Sequence, residues 1–305
     1  MNHLISIDDL SLPEIHDILS LAATVEAIPN PEKARLLPGA LLATLFFEPS
    51  TRTRLSFETA VTRLGGRVIG FSDAAASSTA KGESFSDTVQ TVSRYADVLA
   101  VRHPKEGTAR LASQISRVPV VNAGDGANQH PTQTLLDLYT IQKCFGRISD
   151  LRIALAGDLK YSRTVHSLCR ALMLFDRVEI TLVSPPSLRL PAYLKSAPGT
   201  TATFAETESL PDALRSADLL YMTRIQRERF PDAVDYEKVK NVYRLDARML
   251  SGLPDTFKVL PPLPRVNEIA PDVDSTPHAA YFDQAANGVT IRQAVLLDLL
   301  RARPA

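Results

Sequence analysis

The sequence predicts an α/β protein with two doubly wound parallel-sheet domains of similar size, joined by interdomain helices. The first observation is length, because 305 residues exceed what one hydrophobic core usually serves. The second is a regular alternation of short apolar runs with stretches of helical periodicity, which favours parallel sheets covered by helices on both faces. The third is that polar turns follow several apolar runs, as in sheets that bind ligands at the carboxyl ends of their strands.

The first half of the chain supplies one series of elements. An amphipathic helix opens it, because Ser11 and Glu14 form a capping-box pattern before apolar residues at helical spacing. Four apolar runs then predict strands, and the segments after them have helical periodicity. The predicted strands are residues 40–47, 67–71, 98–102 and 118–121, and the predicted helices are residues 50–64, 84–95, 107–115 and 131–145.

The second half repeats the alternation after Gly146, which ends a long helix. Two polar segments, residues 72–84 and residues 227–242, bury little apolar surface and are predicted to be mobile surface loops. The remaining predicted strands are residues 151–156, 178–183, 219–222 and 258–260, and the remaining predicted helices are residues 163–174, 210–216 and 285–303.

Charge and cysteine content exclude several classes of function. Lys plus Arg number 34 and Asp plus Glu number 34, so no net field favours nucleic acid or an anionic membrane. Cys144 and Cys169 have neither disulfide-framework nor zinc-ligand spacing, which favours a cytoplasmic protein without a metal site. We find no signal-peptide pattern at the N-terminus and no apolar run of about 18 residues, the length of a membrane helix. We therefore expect a soluble protein.

The densest polar motif is Ser50-Thr51-Arg52-Thr53-Arg54, which follows a predicted buried strand and begins a predicted helix. Free backbone N–H groups and the positive end of the helix dipole meet hydroxyl and guanidinium groups at such a junction. This combination predicts a site for a phosphate dianion. The alternative is an ordinary N-capped surface helix with solvated arginines.

A second motif, residues 128–133, lies at another predicted strand-to-helix junction. Pro131 suits the first helical turn, and it leaves His130 at the edge of the sheet with Gln133 one turn further on. An imidazole there can donate to a carbonyl oxygen that gains negative charge, although a His before a Pro is also a common cap or packing residue. Arg102 ends the third strand and is expected at the same edge.

Dinucleotide binding is not indicated by Gly124-Asp125-Gly126. The third glycine of the fingerprint is missing, and the segment does not follow the first strand of the series. We therefore predict no nicotinamide cofactor.

The second half contributes two arginines that follow predicted strands, Arg163 and Arg224. Each guanidinium can hold a carboxylate, often through two hydrogen bonds, so together they suit a dicarboxylate. Pairing with Asp158, Glu228 or Asp232 is the alternative for each arginine. Anion sites in both halves suggest closure of two domains around a pair of small substrates.

Six segments, in order along the chain, resemble the carbamoyltransferase family and, within it, the aspartate carbamoyltransferases. The resemblance covers essentially the full length. The segments are FFEPSTRTRLSFE (residues 46–58), VRHPKEG (101–107), NAGDGANQHPTQTLLD (122–137), GDLKYSRTVHSL (157–168), YMTRIQRER (221–229) and PLPRVNEI (262–269).

The resemblance implies transfer of the carbamoyl group of carbamoyl phosphate to the amino group of L-aspartate, an early step of pyrimidine biosynthesis. It implies a carbamoyl phosphate-binding domain at residues 1–130, with helix 286–305 packing back onto it, and an aspartate-binding domain at residues 131–285. No cofactor is expected. It also implies a homotrimer with shared active sites, and it leaves open whether regulatory chains join such trimers into a larger assembly.

Residue by residue, the resemblance implies a set that binds carbamoyl phosphate. Thr53, Arg102 and His130 would reach the carbonyl oxygen, Gln133 would meet the carbamoyl amide, and these four are the expected catalytic residues. The full set is Ser50, Thr51, Arg52, Thr53, Arg102, His130 and Gln133.

The residues implied for L-aspartate include a backbone carbonyl, that of Leu263, near the attacking amine. Ser77 and Lys81 are expected from the neighbouring subunit, and Ser78 is the alternative to Ser77 because the local spacing could shift by one residue. The implied aspartate set is Lys81, Arg163, Arg224, Gln226 and Leu263, and the implied bridge between the two domains is Glu48 with Arg163 and Arg229.

Two alternatives are weighed against this interpretation. The ornithine carbamoyltransferases carry a His-Cys-Leu-Pro segment, where this chain has Pro261-Pro262-Leu263-Pro264, and Arg224 would repel the ammonium group of ornithine. A non-catalytic phosphate- or amino-acid-binding homologue would be expected to have lost Arg52, Arg102 or His130. All three residues are present.

Overall fold

The structure, a computed structural model, describes residues 1–73, 78–225 and 232–301. The chain divides into two compact units, Met1–Leu136 with Ala286–Ala305, and Asp137–Ala285. It passes between them inside two helices, Pro131–Phe145 and Tyr281–Arg301. Each unit contains one sheet in which the strands pair in parallel, so the predicted fold class is confirmed.

The first unit is built around a four-stranded sheet in the order β2-β1-β3-β4. The opening helix has the predicted capping box, in which the Ser11 hydroxyl accepts from the Glu14 amide and the Glu14 carboxylate accepts from the Ser11 amide. The elements are α1 (Leu12–Ala27), α2 (Asn30–Lys33), β1 (Leu41–Phe46), α3 (Thr51–Arg63), β2 (Arg67–Phe71), α4 (Phe85–Val92), β3 (Val98–His103), α5 (Thr108–Ile115), β4 (Val120–Asp125) and the start of α6 (Pro131–Phe145).

The two central strands of this sheet, β1 and β3, are buried along nearly their whole length. Their apolar runs need cover on both faces, which is why their sequences show no alternation of polar and apolar residues. The edge strand β2 is mostly exposed. The sheet holds β1, β3 and β4 side by side, with Phe46 opposite Arg102 and a register shift between β3 and β4 at Val101–His103.

The second unit contains a five-stranded sheet in the order β7-β6-β5-β8-β9. The buried strands β5 and β8 are neighbours at its centre. The elements are β5 (Arg152–Gly157), α7 (Arg163–Leu172), β6 (Glu179–Val183), β7 (Thr203–Thr207), α8 (Leu210–Ser216), β8 (Leu219–Thr223), α9 (Ala233–Val239), β9 (Lys258–Val259) and the start of α10 (Tyr281–Arg301).

Two predictions of local structure need correction. Residues 227–242 were expected to be a loop, but residues 233–239 form α9, and the Asp232 carboxylate caps that helix by accepting from the Val234 amide at 2.8 Å. β7 was not predicted, because its residues are polar and mostly exposed at the edge of the sheet. In the part of the chain that the structure describes, no helix is long and apolar enough to cross a membrane.

Candidate active site

The carboxyl edge of the first sheet gathers the polar motifs of the first unit. Because β1, β3 and β4 are parallel neighbours, the segments that follow them leave the sheet at the same edge. These segments begin at Phe47, at Pro104 and at Gly126. The sequence could predict that each strand delivers a motif, and the strand order explains why the motifs meet.

The turn from β1 into α3 exposes the start of the helix. Ser50 has extended backbone angles at the N-cap position, yet its side chain makes no capping hydrogen bond. Thr51 and Arg52 are exposed, whereas Thr53 is buried. Arg54 pairs with Glu58 on the next turn at 3.1 Å. The hydroxyl cap of an ordinary surface helix is therefore absent at Ser50, and the amide-rich end of α3 faces the edge of the sheet.

Arg102, at the end of β3, is held by two neighbouring segments. Its Nη2 donates to Glu48 Oε1 at 2.9 Å, and its Nη1 donates to the Ala123 carbonyl at 3.2 Å. The residue is 9% exposed, and its Nε is buried without a hydrogen-bond partner among the described residues. These two bonds use two of the five N–H donors, so the fixed, nearly buried guanidinium keeps further donors for an anionic or carbonyl oxygen.

His130 lies next to Thr53. Its Nε2 is 3.4 Å from Thr53 Oγ1, and His130 is 5% exposed. These residues come from the turn before α6 and the first turn of α3, so the fold brings together two donors that lie far apart in the sequence. Groups of this kind can hydrogen-bond one developing negative charge from a site with little water.

Asp125 organises the turn that carries His130, and sequence reasoning missed it. Its carboxylate accepts four hydrogen bonds, from Asn122 Nδ2 (2.9 Å), the Gln129 amide (3.1 Å), the Gly107 amide (3.0 Å) and Asn128 Nδ2 (3.0 Å). Asp125 is 1% exposed. A carboxylate in a turn followed by Asn and Gln was the available signal, because such a group can hold the backbone ahead of a helix.

The second unit presents a corresponding edge at the ends of β5 and β8. Gly157 ends β5 with a φ of 110°, and a Cβ there would lie 2.1 Å from the Thr223 carbonyl oxygen, so only glycine fits. Ser162 Oγ lies 3.2 Å from Thr223 Oγ1, so the N-cap of α7 contacts the last residue of β8. Arg163 begins α7 directly after Ser162, and Arg224 directly follows Thr223. Arg163 and Arg224 therefore each follow one of two residues that contact each other, Ser162 and Thr223, at the carboxyl edge of the second sheet.

Arg224 also lines a cavity of about 110 Å³ together with Tyr236, Lys240 and Glu268. Lys240 is half-buried and pairs with Glu237 at 2.5 Å. Neither Tyr236 nor Lys240 was predicted, because both fall in the segment taken for a loop. The cavity combines two cationic side chains with the Glu268 carboxylate, which accepts from the Val266 and Asn267 amides, so Arg224 is the cation that we assign to a small anionic ligand.

The remaining predicted residues fall in three groups. Gln133 is half-buried on the first turn of α6, and Leu263 is half-buried after β9, followed by a cis Leu263–Pro264 peptide. Lys81 is exposed at the end of a 3-10 helix, Ser78–Lys81. Ser77, Gln226 and Arg229 lie outside the described residues. Within the described ranges, no cluster of three or more His, Cys, Asp or Glu side chains could hold a metal ion.

Comparison with known proteins decides the family. A model described as "Aspartate/ornithine carbamoyltransferase, carbamoyl-P binding domain" matches residues 2–143, and one described as "Aspartate/ornithine carbamoyltransferase, Asp/Orn binding domain" matches residues 149–299. The chain belongs to the aspartate/ornithine carbamoyltransferase family. The resemblance inferred from the six motifs is thus confirmed, and the two models match the chain on either side of residues 144–148.

Curated relatives within this carbamoyltransferase family cover nearly the whole chain. The "Aspartate carbamoyltransferase catalytic subunit" of Thermococcus onnurineus is 54% identical over 96% of this chain and 94% of its own length. The protein of the same name from Methanocaldococcus jannaschii is 53% identical over 98% of both chains. Relatives at this identity show the family independently of the domain models.

Solved structures of family members have the same fold. The catalytic subunit of M. jannaschii aspartate transcarbamoylase superposes with a TM-score of 0.92 at 53% identity, covering 99% of this chain and 98% of its own. Aspartate transcarbamoylase from Trypanosoma cruzi, solved with carbamoyl phosphate and aspartate, has a TM-score of 0.91 at 35% identity and covers 98% and 97%.

Proposed function

We propose that this chain transfers the carbamoyl group of carbamoyl phosphate to the amino group of L-aspartate, giving N-carbamoyl-L-aspartate and phosphate, as an early step of pyrimidine biosynthesis. The observation that carries the proposal is the approach of Thr53 Oγ1 to His130 Nε2 at 3.4 Å, at the sheet edge where Arg102 is the second-last residue of β3. The T. cruzi relative solved with carbamoyl phosphate and aspartate supports the same substrates.

The phosphate group is assigned to the start of α3. Ser50, Thr51, Arg52 and Thr53 offer hydroxyl, guanidinium and backbone N–H donors there, and the helix dipole favours a negative charge. Arg102 adds a guanidinium that Glu48 and Ala123 hold in place. These groups bind the phosphate before transfer and stabilise it as the leaving group.

The carbonyl oxygen of the carbamoyl group is assigned to Thr53, Arg102 and His130. The neutral amine of aspartate attacks the carbamoyl carbon, the carbonyl oxygen gains negative charge, and fixed donors stabilise it. The C–O bond to the phosphate then breaks, and the departing phosphate takes the proton that the amine loses. Gln133, one turn beyond His130, is assigned to the carbamoyl amide. Because phosphate is already a good leaving group, the reaction requires neither a metal nor an organic cofactor.

L-Aspartate is assigned to the edge of the second sheet. Arg163 and Arg224 each hold a carboxylate, and the Ser162–Thr223 contact joins the residues that precede them. Gln226 and the Leu263 carbonyl complete the set within the chain. Glu48, Arg163 and Arg229 form the proposed bridge between the domains, residues 1–130 with 286–305 and residues 131–285, when both substrates are bound.

We place the enzyme in the cytoplasm as a homotrimer in which Ser77 and Lys81 of a neighbouring subunit reach the aspartate. Lys81 supports this, because it is exposed on a short segment before α4 rather than packed against its own unit. The two cysteines, Cys144 and Cys169, are both free, as in proteins of a reducing compartment.

Parallel assays with L-aspartate and L-ornithine test the reaction. Carbamoyl phosphate is supplied in both, and release of phosphate and of the carbamoylated amino acid is measured. Turnover only in the assay with aspartate supports the proposal, whereas turnover only in the assay with ornithine supports an ornithine carbamoyltransferase. Binding of carbamoyl phosphate without turnover of either amino acid would assign the chain to the non-catalytic homologues.

Mixing two inactive variants tests the shared site. Lys81→Ala and His130→Ala trimers are dissociated, mixed and reassociated, and activity is measured with sedimentation to establish the mass. Sites that draw Lys81 and His130 from different subunits recover activity in the hybrids. Hybrids that stay inactive, or a monomeric mass, would contradict the trimer.

A further inference from the structure

Arg292 on α10 is a buried arginine with partners on three helices of the first unit. It is 2% exposed. Its Nη1 donates to the Gly288 carbonyl at 2.8 Å, its Nη2 donates to Thr132 Oγ1 at 3.1 Å, and its guanidinium carbon lies 4.9 Å from the centre of the Phe57 ring. Thus one side chain joins α10, α6 and α3. No residue of the proposed reaction explains its presence.

The chain makes specific room for this guanidinium. Gly288 lies one turn before Arg292, and a Cβ at that position would be 2.6 Å from Arg292 Nη1. Glycine inside a helix costs about 1 kcal/mol relative to alanine. Burying a guanidinium is also unfavourable unless hydrogen bonds and ring contacts compensate. Two such costs at one place point to a role beyond filling the core.

The two partners on the other helices lie next to the proposed catalytic donors. Thr132 is fully buried and separated from His130 only by Pro131. Phe57 is fully buried and lies one helical turn after Thr53 on α3. Arg292 therefore contacts α3, whose first turn carries Thr53, and α6, which begins directly after His130, and these two residues lie 3.4 Å apart.

We propose that Arg292 is a positioning residue that sets the separation of Thr53 and His130, and with it their alignment on the carbamoyl oxygen. This inference rests on the proposed function. The hydrogen bond to Thr132 fixes the start of α6, and the stacking on Phe57 fixes α3 against it. A shift of about 1 Å in catalytic groups can cost up to 10²-fold in rate, so loss of the Arg292 contacts with Thr132 and Phe57 is expected to lower the turnover number.

Removing the Thr132 hydroxyl gives the mildest test. Thr132→Val keeps the shape of the side chain and removes the acceptor for Arg292. We expect kcat to fall about 10-fold while the KM for L-aspartate stays within about two-fold, because the aspartate residues lie on the other sheet. Thr132→Ser keeps the hydroxyl and is expected to restore most of the turnover.

Thr134 offers a matched control. It is fully buried on the same helix, and its hydroxyl has no hydrogen-bond partner in the described part of the chain. Thr134→Val should therefore leave kcat unchanged. Equal losses in Thr132→Val and Thr134→Val would assign the effect to general repacking of α6 and overturn the inference.

Arg292→Met tests the donor side of the hydrogen bond between Arg292 and Thr132. Its loss of kcat should exceed that of Thr132→Val, and the double variant should lose no more than Arg292→Met alone, because both changes break the same hydrogen bond. Additive losses would overturn the inference. If Arg292→Met does not fold, the Thr132 and Thr134 variants decide the question.

A readout without turnover separates this inference from the proposed function. The ring ¹H and ¹⁵N shifts of His130 are measured by NMR in the wild-type chain, Thr132→Val and Thr134→Val. Changes at His130 only in Thr132→Val support positioning even if the wild-type chain proves inactive with aspartate. Identical His130 shifts in all three chains would overturn it.

Discussion

The two sheet edges that carry the proposed site differ in how their side chains are held. At the first edge Thr53, Arg102 and His130 are each at most 9% exposed, and Thr53 contacts His130 while Arg102 contacts Glu48. At the second edge Arg163 and Arg224 are half-buried, and Arg224 faces an open cavity. The side chains of the first edge are nearly buried, whereas the two arginines of the second edge keep part of their surface exposed.

The chemistry assigned to each edge explains this difference. Stabilising a charge that develops only in the transition state requires donors that are already oriented and shielded from water. Holding a carboxylate that is charged throughout requires only that guanidinium groups can reach it. We therefore expect changes at the first edge to act mainly on kcat and changes at the second to act mainly on the KM for aspartate.

The largest effect is expected from His130→Ala. Loss of one donor to a developing oxyanion costs on the order of 10²- to 10³-fold in kcat, with little change in substrate affinity. Steady-state kinetics give kcat, and calorimetry gives the affinity of the chain for inorganic phosphate, which we assign to the first edge. A turnover number equal to that of the wild-type chain would remove His130 from the mechanism.

A smaller effect, on a different constant, is expected from Arg224→Lys. The substitution keeps the charge and loses the planar fork, so the KM for L-aspartate should rise about 10- to 100-fold, the range set by a hydrogen bond between charged groups. The affinity for inorganic phosphate should not change. Arg163→Lys on the same edge is the matched variant, and a fall in kcat at constant KM in both would contradict the division between the edges.

Sequence reasoning was most successful where local signals agree. Helix α6 begins and ends where it was predicted, because Pro131 fits the first turn and Gly146, with a φ of 70°, stops the helix. It was least successful at α9 and β7, whose charged or exposed residues show no clear apolar periodicity. Such elements are stabilised by the tertiary structure around them rather than by their own pattern.

The candidate site shows the same limit. Each motif could be located from its place after an apolar run, but the contact between Thr53 and His130 depends on the order β2-β1-β3-β4. No local pattern specifies that order. Asp125 was missed although its turn carries a local signal, and only its bond to the Gly107 amide depends on packing against the segment before α5. The sequence thus indicated which residues matter, and the packing of the strands determines which of them meet.

A still smaller effect is expected at the contact between Ser162 and Thr223 on the second edge. Thr223 is 3% exposed, and its hydroxyl contacts Ser162 at 3.2 Å. Thr223→Val should lower the free energy of unfolding by about 1 kcal/mol and raise the KM for aspartate a few-fold, because Arg163 and Arg224 flank this contact. Denaturant unfolding and kinetics measure both, with Thr223→Ser as the control. A fall in kcat without a change in KM would place Thr223 with the first edge instead.

The smallest effect concerns pH and again compares the units. Burial lowers the pKa of His103 in the first unit and of His166 in the second. Each ring is thus more readily protonated in the unfolded chain. The free energy of unfolding that depends on these neutral rings is therefore fully present above about pH 6.5, and it is lost as pH drops through the lowered pKa values.

The two rings differ in their hydrogen bonds. His103 Nδ1 accepts from the Lys105 amide at 2.9 Å, a bond that protonation breaks, whereas His166 Nε2 bonds the Leu159 carbonyl at 2.9 Å and can keep that bond when charged. The Lys105 ammonium further opposes protonation of His103, whereas Glu48 and Asp125 favour it, and Arg170 opposes protonation of His166. Melting temperatures between pH 7.5 and 5 should therefore depend less on pH in His103→Phe than in His166→Phe. His16→Gln, at an exposed position, is the control. A stronger pH dependence in His103→Phe than in His166→Phe would contradict the larger role given to His103.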